Sequence, residues 1–517
     1  MRRFHICNPL VVGILWLFMS SSVLGGAQAP AGAVAEAAGE AGPAEERWYV
    51  LELGGERAGW LVERWWSEGE RRVTELESEF RLARGEAPLE IVLAGRFVET
   101  AAGEPVSLRT RRSLGSEPVE TTYRFLPGRV EAETVQGGRT RRETVDPPAG
   151  EWLTPARARD AAARHHRAGD GSYRLRTIDP LEGLEPVTVT RTRLDEAPAA
   201  PGAVGRWREE LSSAPGVPTV VELDARGEVI WSRSELLGLE AILRRSDRDT
   251  ALAATEGPGP EVLLATLVRP DRPIPEPARA RRAVFELSRA VADGGPAQGA
   301  PPDLPALDAL PDGGAQRVER RGDRVRVTVA VPEDGAGPDG TVRPPPADRD
   351  GGSGLDPFLA ASTYLDHDAP EVRRLLAHLH PEDADPGAAP GAGAAGLARS
   401  LTDLVRRHVA VKDLDTGFAT ASEVARTGSG DCTEHAVLLA ALLRAAGIAS
   451  RVVTGLVYLE DAAGLGEEAR GAFGYHMWTQ ALVDGGWLDL DATLPGGFDA
   501  THIALGASPL AGPEGGR

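Results

Sequence analysis

From Trp48 to about Leu252 the side chains alternate with period two. Leu76, Ser78, Phe80 and Leu82 share one side of a run, and Glu75, Glu77, Glu79 and Arg81 share the other. Val187 and Val189 alternate with Thr188 and Thr190 in the same way. The pairs Gly54-Gly55, Pro127-Gly128 and Gly137-Gly138 fall between such runs as turns. Strands with one charged face predict an antiparallel sheet with one wet side. A helical pattern at 161–166 interrupts it. Residues 256–350 are rich in Pro, Gly, Asp and Ala. They predict one helix near 278–292 and one strand, in which Val325, Val327 and Val329 alternate with Arg324, Arg326 and Thr328. After the Asp-Gly-Gly-Ser-Gly run at 350–354, helical patterns follow at 369–378 and 397–408, split by the Gly/Ala/Pro run 386–396.

The pattern changes once more near the C-terminus. Asp431 stands where a helix begins, and Glu434 three residues on completes a capping box. The helix continues through 436–446, apolar nearly all round, and stops at Gly447, a typical residue just past a helix end. Cys432 therefore sits in the first turn of a buried helix. The positive end of the helix lowers a thiol pKa, and the free N–H groups there can bind an oxyanion. Residues 451–459 read as a strand and 460–474 as a loop. Residues 476–483 and 486–491 read as strands around the turn Asp484-Gly485. In that register Asp491 faces Trp478 and lies diagonally from His476, within side-chain reach. An acid beside the imidazole can orient it, and the imidazole can take a thiol proton. Asp489 is the rival acid on the same strand face.

Gly430-Asp431-Cys432, the strand Arg451-Val452-Val453-Thr454-Gly455, Tyr475-His476-Met477-Trp478, and Trp487 to Thr493 together resemble the transglutaminase-like superfamily. The resemblance covers about residues 355–510. It implies a papain-like α+β core with a Cys-His-Asp triad, in which Cys432 is the nucleophile, His476 the base and Asp491 the orienting acid. It is nearer to bacterial exported members than to animal cross-linking enzymes. The animal enzymes carry a Trp ahead of the cysteine, and none lies between Gly352 and Cys432.

Composition narrows the partners. The chain has 517 residues and a formal net charge of −20, which argues against a nucleic-acid footprint and against docking on anionic lipid. Lys412 is the only lysine, so the protein is itself a poor amine donor. Arg2 and Arg3, the apolar run 10–19 and the small residues at 25–29 form the pattern of a secretory signal. Removing it takes away Cys7, leaves Cys432 as a lone thiol without an internal disulfide, and leaves no integral membrane span. The expected location is a periplasm or the cell exterior.

The expected class is α+β and multidomain. A signal peptide at 1–27 and a linker at 28–46 precede an antiparallel β-rich domain at 47–255. A small connector domain at 256–350, a C-terminal α+β core at 351–510 and a tail at 511–517 complete the chain. His435, three residues after the cysteine, reads as structural. His378 and His380 form a His-x-His pair that could bind a metal, but Pro381 and the loop after it suggest a helix end instead. Trp60, Trp65 and Trp66 read as sheet packing, and no cofactor or metal is implied. The function expected is that of an exported enzyme that cleaves or transfers a peptide or protein amide through a thioester on Cys432. Hydrolysis is favoured where water is in excess. The alternative is a catalytically silent module whose β-rich half binds a cell-envelope ligand or partner. Substrate identity and oligomeric state have no signature in the sequence.

Overall fold

The computed structural model describes residues 45–84, 87–114, 117–236, 239–253, 257–262, 266–288, 310–322, 324–331, 354–378, 393–411, 417–460 and 470–511. The signal-like segment, the run at 350–353, most of the Gly/Ala/Pro run, His380 and residues 512–517 lie outside them. The described chain divides into two compact units, at 45–262 and 266–511. No helix among the described residues is long and apolar enough to cross a membrane.

The first unit is built on one antiparallel sheet of fourteen described strands. The first eight, from Glu45–Leu53 to Arg139–Val145, pair in chain order. The last six, from Ser172–Ile178 to Leu239–Ser246, do the same, and the last pairs back onto the first. The alternation predicted from sequence sets the faces: Leu76, Phe80 and Leu82 are buried, while Glu75, Glu77 and Arg81 keep partial access to water. Glu45 and Glu46, expected in a linker, already belong to the first strand. Between the two runs of strands stands the helix Pro155–Ala168, which opens with proline and closes at Gly169 in the left-handed region. It buries Ala156, Ala158, Ala161 and Ala162. The Trp65 indole has the Arg47 and Arg159 guanidinium groups at 4.3 and 4.7 Å from its ring centre, and Trp48 packs on Trp60. These rings are internal packing of the sheet.

The second unit holds two sheets. In the four-stranded sheet the order is Gly486–Leu490, Ala472–Val483, Ser450–Leu459, Ile503–Ser508, all antiparallel neighbours. The turn at Asp484 and Gly485 pairs Val483 with Gly486 and Thr479 with Leu490, the register expected from the sequence. Among the described residues of this unit, the helices Asp356–Leu359, Pro370–Ala377, Ala394–His408, Ala421–Thr427 and Cys432–Ala445 include both predicted from the 369–378 and 397–408 patterns. The last is buried from Cys432 to Arg444, and the Thr479 hydroxyl of the neighbouring strand donates to its Ala436 carbonyl at 2.9 Å.

Over its described part, 278–288, the helix expected near 278–292 is not formed. A short 3-10 turn at Pro277–Arg279 leads instead into the strand Arg282–Ser288. Ala283, Phe285 and Leu287 alternate with more exposed neighbours, and pairing with Arg324–Ala330 overrides the local helical preference. Gln316–Arg321 adds the third strand of this sheet. Val325, Val327 and Val329 then share one core with Leu456, Tyr458, Phe473, Ile503 and Leu505 of the four-stranded sheet. Buried Gln316 joins the two sheets, because its amide donates to Ala504 O at 3.0 Å and accepts from Ala504 N at 2.8 Å.

Close packing across the four-stranded sheet dictates one glycine. A Cβ on Gly455 would stand 2.2 Å from the Ile503 carbonyl oxygen and 2.6 Å from the Trp478 ring. Gly455→Ala should therefore cost at least about 1–3 kcal/mol by overpacking. The control Gly313→Ala, which meets nothing within 4 Å, should stay within about 0.5 kcal/mol of the parent in urea unfolding.

Candidate active site

Cys432 occupies the first position of its helix because the preceding loop is tightly capped. The Asp431 carboxylate accepts from Thr433 N at 2.9 Å, and Glu434 accepts from Asp431 N at 3.0 Å and from Ala419 N at 3.1 Å. Gly430 is required there: its φ is +145°, and a Cβ would stand 2.3 Å from Glu434 Cβ. His435 Nδ1 hydrogen-bonds the Asp431 carbonyl oxygen, so this ring is held against the helix cap, consistent with a structural role.

Cys432 is fully buried. Burial pushes its thiol well above the ordinary thiol range; the Met477 N–H that faces it pulls the other way, and the Asp491 and Glu434 carboxylates push further up. The expectation of a lowered thiol pKa at the helix start is thus corrected. The few partial charges of a helix end do not outweigh complete loss of water and two nearby carboxylates. The resting group is the neutral thiol.

Met477, whose backbone meets the thiol, follows His476 in the strand Ala472–Val483. His476 Nε2 lies 2.8 Å from Asp491 Oδ2, and both side chains are fully buried. Asp491 is the first residue past the strand Gly486–Leu490. The diagonal relation expected from the hairpin is met. The other nitrogen, His476 Nδ1, is buried with no hydrogen-bond partner. Asp489, the rival acid, is engaged elsewhere. It accepts from Trp478 Nε1 at 2.8 Å, Gln480 Nε2 at 2.7 Å and Ala315 N at 2.8 Å. Burial raises its carboxyl in spite of these donors.

A second histidine, unmarked by any motif, meets the same carboxylate. His502 Nε2 lies 3.0 Å from Asp491 Oδ2, and His502 Nδ1 lies 3.1 Å from Asp499 Oδ1. Asp491 Oδ1 accepts from Thr493 N at 2.7 Å and Leu494 N at 3.2 Å, and Arg406 donates to the Asp491 carbonyl at 2.8 Å. Burial alone would raise the Asp491 carboxyl, but the two imidazoles overcome it and hold it well below the usual carboxylate range. Burial alone would lower His502; Asp491 and Asp499 reverse that and push it up to about 9. Only the i, i+3 spacing of Asp499 and His502 could have drawn attention to this ring, and that spacing is common.

An ionised carboxylate only accepts, so each Nε2 must carry the hydrogen. A neutral His476 then presents a bare Nδ1, the form a proton acceptor needs. One ligand atom each from His476, Asp491 and His502 lie within 4.8 Å of one another, close enough to suggest a cation site. The 2.8 and 3.0 Å contacts are hydrogen-bond lengths, and a cation would have to displace both ring protons. The set fits protons as it stands. His378 caps the end of Pro370–Ala377.

Residues 388–492 match the family model described as the transglutaminase-like superfamily. This part of the chain is similar to that superfamily. The transglutaminase-like segment thus spans Cys432, His476 and Asp491, while His502 lies beyond it. Among solved structures, a β-barrel-like protein of a domain of unknown function from Brucella abortus is similar at 12% identity and TM-score 0.29, over 39% of this chain and 96% of that one. A candidate cysteine protease from Cytophaga hutchinsonii is similar at 14% identity and TM-score 0.23, over 47% and 75%. The periplasmic domain of TgpA from Pseudomonas aeruginosa, bound to ethylmercury, is similar at 20% identity and TM-score 0.21, over 41% and 71%. No curated protein matches the chain.

The raised His502 has a consequence for stability. A group whose pKa rises on folding stabilises fully below its unfolded value, here 6.5, and loses that contribution as pH climbs through about 9. Urea unfolding between pH 6 and 10 should show this decline as a loss of a few kcal/mol, of the order of the linked shift. In His502→Gln the decline over that window should shrink.

Proposed function

We propose that the transglutaminase-like segment is a cysteine-nucleophile acyl-transfer site acting on peptide or protein amides. The observation that carries this reading is the His476 imidazole. One of its nitrogens is held by Asp491 at 2.8 Å, the other is buried without a hydrogen-bond partner, and the next backbone N–H faces the Cys432 thiol. In this reading Cys432 is the nucleophile, His476 the base and Asp491 the orienting acid.

The reaction follows from these roles. His476 Nδ1 takes the thiol proton as Sγ attacks the amide carbonyl carbon. The C–S bond forms, and charge gathers on the carbonyl oxygen near the Cys432 N–H at the helix start. The C–N bond then breaks, and the imidazolium returns its proton to the leaving amine. Water attacks the thioester with His476 again as base, releasing the acid and restoring the thiol. An amine in place of water gives transfer rather than hydrolysis, and the choice rests on what reaches the thioester. The signal-like N-terminus supports an exported setting for this chemistry. One observation favours the second reading, a silent module: Cys432 and His476 are both closed to solvent.

The test is the pH dependence of iodoacetamide alkylation. The wild type should label at pH 6–7 and Cys432→Ala not at all. His476→Ala should label at least about 10²-fold more slowly, the usual contribution of a general base. Asp491→Asn should fall between the two. Labelling that ignores His476 and follows an ordinary thiol titration contradicts the enzyme reading and supports the silent one.

A further inference from the structure

We propose that His502 is a positioning residue for this reaction: it clamps Asp491, and through Asp491 it fixes the His476 ring. The inference rests on the function proposed above. His502 stands immediately before the strand Ile503–Ser508 and is buried. Its Nε2 meets the same carboxylate oxygen that holds His476, at 3.0 against 2.8 Å. With Thr493 and Leu494 on the other oxygen, the carboxylate has four donors. Rotation about the Asp491 side chain would break at least one of them.

The ring is itself fixed. Asp499 Oδ1 accepts from His502 Nδ1 at 3.1 Å, and Thr501 donates to that same oxygen from both its backbone and its hydroxyl. Phe498 packs on the imidazole at 4.5 Å, and Trp478 meets it edge-on at 5.3 Å. A neutral imidazole has one N–H, so bridging two carboxylates requires the doubly protonated ring. The charged and titratable groups around it are Asp491, Asp499, Asp489 and His476, with Arg406 on the Asp491 carbonyl. The second tie, to Asp499, is therefore complete only while His502 carries both protons, and it weakens as pH passes about 9, leaving the ring less firmly held against Asp491.

The experiment compares iodoacetamide labelling of the full chain as wild type, His502→Leu and His502→Gln between pH 6 and 10, with folding checked by circular dichroism. His502→Leu removes both donors. It should slow the His476-dependent labelling about 10²-fold at pH 7, the scale of a misplaced catalytic group. His502→Gln keeps an N–H for Asp491 and should recover most of that loss. The wild-type profile should break near 9, and the His502→Gln profile should not. If His502→Leu does not fold, the rate of His502→Gln and its missing break decide the matter. Wild-type labelling that needs His476, combined with a folded His502→Leu of unchanged rate or a break that persists in His502→Gln, overturns this inference alone. Wild-type labelling that ignores His476 overturns the proposed function and this inference with it.

Discussion

One carboxylate organises the C-terminal unit. Asp491 is removed from water, yet it stays ionised because four N–H groups, two of them from imidazoles, replace its hydration. A buried charge is tolerated only under such complete satisfaction. The elements that meet there are otherwise separate in the chain: the hairpin that carries His476, the loop that carries Thr493 and Leu494, the segment before Ile503–Ser508, and Arg406 on the helix Ala394–His408. Loss of the charge would leave several buried donors without an acceptor.

The same burial shapes the chemistry. Desolvation opposes charge on the Cys432 thiol more strongly than the helix end favours it. In the proposed reaction the base is then indispensable, because a neutral thiol becomes a nucleophile only as its proton leaves, and fixing the His476 ring matters more than lowering the thiol pKa in advance. Asp489, two residues before Asp491 and equally acidic in the sequence, serves instead as an acceptor for Trp478, Gln480 and Ala315. It ties the indole beside His476 to the sheet below.

Much of this was legible in the chain. Period-two alternation and glycine turns predict an antiparallel sheet with one wet face in the first unit, though not its fourteen strands. The capping residues around Cys432 and the Asp484-Gly485 turn are local signals, and the register that turn sets brings His476 and Asp491 together. What was not legible depends on contacts remote in sequence. The stretch Arg282–Ser288 has helix-forming residues and becomes a strand because Arg324–Ala330 offers it a partner. The thiol shift depends on how completely the fold excludes water, which helix position does not report. His502 follows Asp491 by eleven residues with no motif, and only the fold turns it toward the carboxylate.

The most direct measurement is the protonation of the imidazole nitrogens by ¹⁵N NMR at pH 7. The account predicts that His476 and His502 both carry hydrogen on Nε2, with downfield N–H signals lost in Asp491→Ala, that His502 is also protonated on Nδ1, and that His476 Nδ1 is bare. A His476 protonated on Nδ1 and bare on Nε2 would contradict it, because that tautomer could neither donate to Asp491 nor accept the thiol proton.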